Sequence, residues 1–124
     1  MKKYDIIVVG SGSGAIVVEE AVSYGLKVAL VDRGPLGGTC LNVGCIPSKM
    51  LIYPADRIVE IQEAGKLGIN AGIKGIDFKA IMQRMRKNIG ESRDEMKEGI
   101  IAIENLDYYE AEGHFVDNLS LIHI

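Results

Sequence analysis

The chain has 124 residues, 48% of them apolar, which is enough for one modest core and short of two ordinary domains. Fourteen basic against seventeen acidic side chains give a net charge of −3, and no run of like charges offers nucleic acid a surface. No stretch approaches the roughly 18 apolar residues of a membrane span, and two cysteines without an export signal fit a reducing, cytoplasmic setting.

"YDIIVV", Tyr4 to Val9, is a short apolar run rich in β-branched residues, the pattern of a strand buried on both faces. Two lysines precede it as in a signal peptide, but Asp5 interrupts the run and glycine ends it. "GAIVVEEAVSYG" follows as a helix with Ile16, Val17, Ala21 and Val22 expected on one side and Gly25 as its stop. "KVALVD" repeats the buried-strand pattern, so residues 4–32 make a βαβ unit. After the cysteines, "SKMLIYPADRIVEIQEAGKLGI" has helical spacing, with a kink or a new first turn expected at Pro54. "NAGIKG" breaks the pattern, and Asp77 is a good N-cap for a long helix carrying Phe78, Ile81, Met82, Met85, Ile89, Met96 and Ile100. Three of the five methionines fall on that stripe, which places them in packing and not in a ligand set. "LDYYEAEG" predicts a third strand, and "HFVDNLSLIHI" a hairpin turning at Asp117-Asn118. The sequence stops on an apolar strand with nothing after it to cover the edge, and we expect a domain incomplete at its C-terminus.

The first strand opens into the helix through "VVGSGSGA", with Gly10, Gly12 and Ala15 in G-x-G-x-x-A spacing. Gly10 permits a tight turn, Gly12 clears the backbone for a pyrophosphate, and Ala15 keeps helix and strand close. The helix N-terminus adds free N–H groups and the positive end of a dipole. Asp32 ends the second strand about 20 residues on, where a carboxylate accepts hydrogen bonds from a ribose diol and repels a 2′-phosphate. The pattern predicts dinucleotide binding.

Cys40 and Cys45 stand five positions apart in "GGTCLNVGCIPSK". Zinc needs four ligands, and only His114 and His123 are left to join them, far along the chain. Five residues of regular helix already rise about 7.5 Å, so a pairing needs a distorted turn, for which Gly44 supplies the freedom. A helix starting near Pro47-Ser48 sets its positive end beside Cys45, and Lys49 adds a cation. Two reduced packing cysteines are the bland alternative. The glycine frame and the dinucleotide loop upstream favour a redox pair.

Together "VVGSGSGA", "VALVDRG" and "GGTCLNVGCIPSK" resemble the N-terminal FAD-binding region of the pyridine nucleotide-disulfide oxidoreductases, most of all the dihydrolipoamide dehydrogenase branch. The match is specific over residues 4–54 and looser over the helices, with an echo at "AEGHF". The resemblance implies an α/β, Rossmann-type FAD-binding domain with a parallel sheet and a long helical pair, of which residues 1–124 form the N-terminal part. It implies that Gly10, Gly12 and Ala15 surround the FAD pyrophosphate, that Asp32 binds the adenosine ribose, and that Thr39 contacts the phosphates. The backbone at Gly113 and His114 would meet the adenine; Ser13, Gly14, Arg33, Gly38 and Gly44 complete the implied cofactor contacts. Cys45 would be the charge-transfer thiol beside the flavin ring, with Lys49 near its N5, and Cys40 the interchange thiol.

The implied parent passes electrons between NAD(H), FAD, the cysteine pair and a small dithiol or disulfide such as a lipoyl group, and works as a homodimer. Leu41 and Ile46 favour the dihydrolipoamide branch over glutathione reductases, "KMLIYPAD" is similar to mycothione reductase, and mercuric reductases share the cysteine loop. A second glycine loop for NAD(H), the segment completing the FAD site and the interface domain with its His-Glu pair have no counterpart in the sequence. The chain alone is therefore expected to be inactive, or to serve as a flavin-binding module without catalysis.

Overall fold

The computed structural model describes residues 2–123. β1 (Ile6–Val9), α1 (Gly14–Ser23) and β2 (Val28–Val31) form the expected βαβ unit, and β3 (Leu106–Tyr109) pairs in parallel with the other edge of β2. The register sets Ile6 beside Val28 and Val28 beside Leu106. Flanked on both edges, β2 is buried along its whole length, its four residues being 0% to 2% exposed. That is why it reads as an unbroken apolar run rather than an alternating one.

Three further helices follow: α2 (Gly38–Asn42), α3 (Cys45–Glu63) and α4 (Phe78–Ile101), with a 3₁₀ turn at Ala64–Leu67 closing α3. One face of the sheet, through Val8, Val28, Leu30 and Leu106, packs on Val18 and Ala21 of α1 and on Leu36, with Met96 and Ile100 of α4 joining at the margin. The Asp77 side chain accepts the Ala80 N–H at 2.9 Å and caps α4 as its sequence position requires. β4 (Gly113–Asp117) and β5 (Ser120–His123) form an antiparallel hairpin by the other face of the sheet, where a Cβ at Gly113 would lie 3.1 Å from Val31 Cγ1.

Four local expectations are corrected. Of the four residues expected on the buried side of α1, Ala21 is buried and Val22 packs at the margin of the core, with Val18 beside them, whereas Ile16 is 68% exposed and Val17 is exposed as well. At about 100° per residue, Ile16 lies roughly 200° around the helix from Gly14, whose missing side chain admits Val8 and so fixes which face meets the sheet. α3 begins at Cys45, two residues before Pro47, and runs on through Pro54 without a new first turn. Pro47 sits in the first turn, where its absent N–H has no intrahelical partner to lose, whereas Pro54 in the interior leaves the Met50 carbonyl without its helical donor. On α4 the long stripe narrows: Met85 and Ile89 are buried, while Phe78 is exposed. The hairpin turns at Asn118-Leu119 because Asp117 still pairs with Ser120; Ile124 lies outside the described residues.

Candidate functional site

The glycine loop lies at the C-terminal end of β1, where the parallel strands open towards the helix N-termini. Gly10 has φ +95° and donates its N–H to the Val31 carbonyl at 2.8 Å, which bends the chain away from the sheet. The backbone next passes Gly38 so closely that a Cβ there would lie 2.6 Å from Gly12 Cα. At Gly14 a Cβ would lie 2.7 Å from Val8 Cγ1, so the close approach of α1 to β1 rests on Gly14. Ala15, the position expected to serve that approach, is half-buried in the first turn.

Asp32 sits across the loop. Its Oδ2 accepts the Ser11 N–H at 2.6 Å and its Oδ1 the Gly34 N–H at 2.9 Å. Burial pushes the Asp32 carboxyl up, but hydrogen bonds from Ser11 and the Gly34 amide, with the Arg33 charge, outweigh it and leave the carboxyl below its ordinary value. Ser11 is buried, and its Oγ accepts the Gly37 N–H at 3.0 Å. One serine thus ties the glycine loop, the acidic residue and the turn before the cysteines together.

Two adjoining clefts meet at Val9 and Gly10. The first, about 250 Å³, is lined by Asp32, Arg33, Ala111, Glu112 and Gly113 among others. The second, about 570 Å³, runs from Gly12, Ser13 and Gly14 past Gly37, Gly38 and Thr39 to Cys40. A dinucleotide fits this arrangement chemically: the carboxylate end suits a ribose diol, and the backbone-lined end at the start of α1 suits phosphates. Arg33 reaches over the first cleft to Glu112 at 3.2 Å, and His114 Nε2 lies 3.8 Å from the same carboxylate. His114 itself is exposed on β4.

The cysteines occupy two helices separated by a break at Val43-Gly44. Cys40 is in α2 and Cys45 is the first residue of α3; both are free and exposed. The Cys45 thiol, aided by burial, pushes the Cys40 thiol up against the opposing pull of the Lys49 charge. Gly44 makes the break possible, since a Cβ there would lie 2.9 Å from the Thr39 carbonyl oxygen. Gly37 has φ +93°, and a Cβ on it would meet Leu41. Cys45 and Lys49 stand on α3, outside the lining of the two clefts.

Sequence reasoning gave no role to Ser11, Gly37, Asn42 or Glu112. The double glycine at Gly37-Gly38 was a usable signal for a close backbone passage; a serine inside a glycine loop and an asparagine between two cysteines carried none.

Residues 4–118 match the family described as pyridine nucleotide-disulphide oxidoreductase. The dihydrolipoyl dehydrogenase of Staphylococcus aureus is 38% identical over 118 residues, covering 94% of this chain and 25% of that protein. The mercuric reductase of Lysinibacillus sphaericus is 32% identical over 115 residues, 92% of this chain and 21% of its own length. Among solved structures, the Cu(II) complex of the HOCl-induced flavoprotein disulfide reductase RclA from Escherichia coli superposes with a TM-score of 0.78 at 27% identity, covering 98% of this chain and 24% of that one. The chain thus spans about a quarter of the length of the relatives it matches.

Proposed function

The chain belongs to the pyridine nucleotide-disulphide oxidoreductase family, and from that premise we propose that it supplies the FAD-binding, cysteine-bearing part of a flavoprotein disulfide reductase. One observation carries the reading: the cleft that starts at the glycine loop is lined at its other end by Cys40, with Cys45 at the head of the next helix. FAD, when bound, supplies a two-electron carrier between a nicotinamide hydride and a disulfide. The chain's own residues supply the rest. Gly10, Gly12 and Gly38 clear the backbone for the pyrophosphate, the N-terminus of α1 stabilises its charge, and Asp32 receives the ribose hydroxyls.

At the thiols, a thiolate attacks a substrate disulfide to give a mixed disulfide and release one substrate thiol. The second cysteine then displaces the other substrate thiol, leaving Cys40–Cys45 oxidised and the substrate reduced by two electrons. The reverse sequence oxidises a dithiol. We take that dithiol to be a lipoyl group, as the dihydrolipoyl dehydrogenase relatives support, with NAD as the nicotinamide partner of a cytoplasmic homodimeric parent. A second reading, reduction of Hg(II), is favoured by the mercuric reductase relative.

Flavin titration tests the assignment. The 124-residue chain should bind FAD saturably but weakly, and Asp32→Ala should lose about 1.5–3 kcal/mol, roughly 10- to 150-fold, as for a hydrogen bond to a charged group. Absence of saturable binding by the unaltered chain overturns the FAD assignment, and unchanged affinity in Asp32→Ala removes that carboxylate from the site. In a full-length parent, NAD reduction by dihydrolipoamide separates the first reading from NAD(P)H-dependent Hg(II) reduction.

A further inference from the structure

We propose that Asn42 is a positioning residue for the cysteine pair, its carboxamide tying the Pro35–Gly38 turn, the Cys40 helix and α4 into one frame. The inference rests on reading Cys40 and Cys45 as a redox pair. Asn42 Nδ2 donates to the carbonyls of Pro35, Leu36 and Gly38 at 3.1, 2.9 and 2.7 Å, and Oδ1 accepts from Arg93 Nε of α4. Both amide protons and the amide oxygen are therefore engaged, and a flipped carboxamide would set its oxygen against three carbonyls.

The need for such a frame follows from the length of α2. Five residues hold too few intrahelical bonds to offset the cost of nucleating a helix, so α2 keeps its shape only by what it is fastened to. Asn42 fastens it at both ends, since it is the last residue of α2 and Gly38 is the first. Cys40 lies midway between them, and Cys45 is anchored separately at the head of α3. The Arg93 contact links this turn to a helix 51 positions away in sequence. Loosening Asn42 would let Cys40 sample positions away from Cys45, lowering the effective concentration of one thiol at the other.

The test is the thiol–disulfide equilibrium of the whole chain in glutathione buffers. Here Cys40 and Cys45 give two electrons and two protons to one glutathione disulfide, forming one intramolecular disulfide and two glutathione molecules. Asn42→Ala should shift the equilibrium about tenfold towards the dithiol, which is about 30 mV less negative. Arg93→Gln should shift it roughly threefold in the same direction. Asn105→Ala is the control: it deletes a comparable bond, from Nδ2 to the Leu26 carbonyl at 2.6 Å, remote from the cysteines, and should leave the equilibrium in place. An unmoved equilibrium in Asn42→Ala, or an equal shift in Asn105→Ala, overturns the positioning role. Should Asn42→Ala lose its helical circular dichroism, Arg93→Gln decides, and an unmoved equilibrium there overturns the role. An unaltered chain that never forms the disulfide overturns the redox reading and this inference together, whereas a disulfide that forms and ignores Asn42 overturns only the inference.

Discussion

β2 and α3 are both rich in apolar side chains, and they meet opposite fates. All four residues of β2 are buried, whereas of the nineteen in α3 only Pro47 is, with Ile46, Ile52, Tyr53 and Val59 left exposed. The difference lies in what each element has beside it. β2 is paired on both edges and covered on both faces by parts of this same chain, so its hydrophobic content becomes core. Among the described residues α3 leans chiefly on α4 and α2, and most of its surface is left to solvent. The site follows the same division: the glycine loop and Asp32 hang from the buried half, while Cys45 and Lys49 belong to the exposed one. Apolar content predicts burial only where the fold also supplies a partner.

The largest expected effect comes from setting one residue of each region against the other. Leu30→Ala, at a position 1% exposed in the centre of the sheet, should cost about 2–5 kcal/mol by denaturant unfolding, because it deletes buried methyl groups and leaves a cavity. Val59→Ala, at a position 50% exposed on α3, should stay within about 0.5 kcal/mol. A large loss in Val59→Ala would break the comparison and show that α3 is covered in solution. Gel filtration would then distinguish self-association from a rearranged monomer.

An effect of similar size sharpens the contrast inside the site. Gly38→Ala forces a Cβ to within 2.6 Å of Gly12 Cα at a residue with φ +58°. Overpacking costs about 1–3 kcal/mol and the left-handed backbone about 1–2 more. Gly90→Ala, in the interior of α4 with no atom within 4 Å of the new Cβ, should instead stabilise by about 1 kcal/mol. Thermal unfolding of both variants reads the two signs directly. A neutral Gly38→Ala would mean that the two loops do not touch in solution.

How much of this was legible in the sequence tracks the same division. The strand run at Val28 to Val31, the tight glycine turn at Gly10 and the Asp77 cap are local signals, each set by the residue and its near neighbours, and all are readable. The buried face of α1 is readable at Ala21 and Val22 but not at Ile16 and Val17, which are more apolar than Gly14, because a missing side chain, and not a large one, decides which side approaches a strand. Ser11 and Asn42 were invisible for another reason. Their partners lie at Gly37 and Arg93, 26 and 51 positions away, and a polar side chain that bonds distant backbone or helix gives no periodicity to detect. The cysteines were legible as a pair from the glycines around them, while the break of two helices between them was not, because it depends on Gly44 packing against the Thr39 carbonyl.

The smallest effect is electrostatic and ties the buried half to the site. Asp32 has a folded pKa below its ordinary value of 3.8, so the deprotonated form is favoured in the folded state. Its contribution to stability is therefore complete above about pH 4 and is lost as pH falls through the folded-state pKa. Asp107 on β3 is also held below its ordinary value, first by the Tyr4 hydroxyl and then by Lys2, so the acid limb of the unaltered chain sums several groups. Subtracting the stability of Asp32→Ala at each pH cancels Asp107 and isolates Asp32. That difference should be flat from pH 5 to 7 and narrow below pH 4, by less than about 1 kcal/mol because the carboxylate is partly solvent-screened. A difference that stays flat down to pH 2 would mean that Ser11 and Gly34 hold the protonated carboxyl as firmly as the carboxylate. The tie between the glycine loop and the end of β2 would then be a matter of packing, and the charge of Asp32 would add nothing to it.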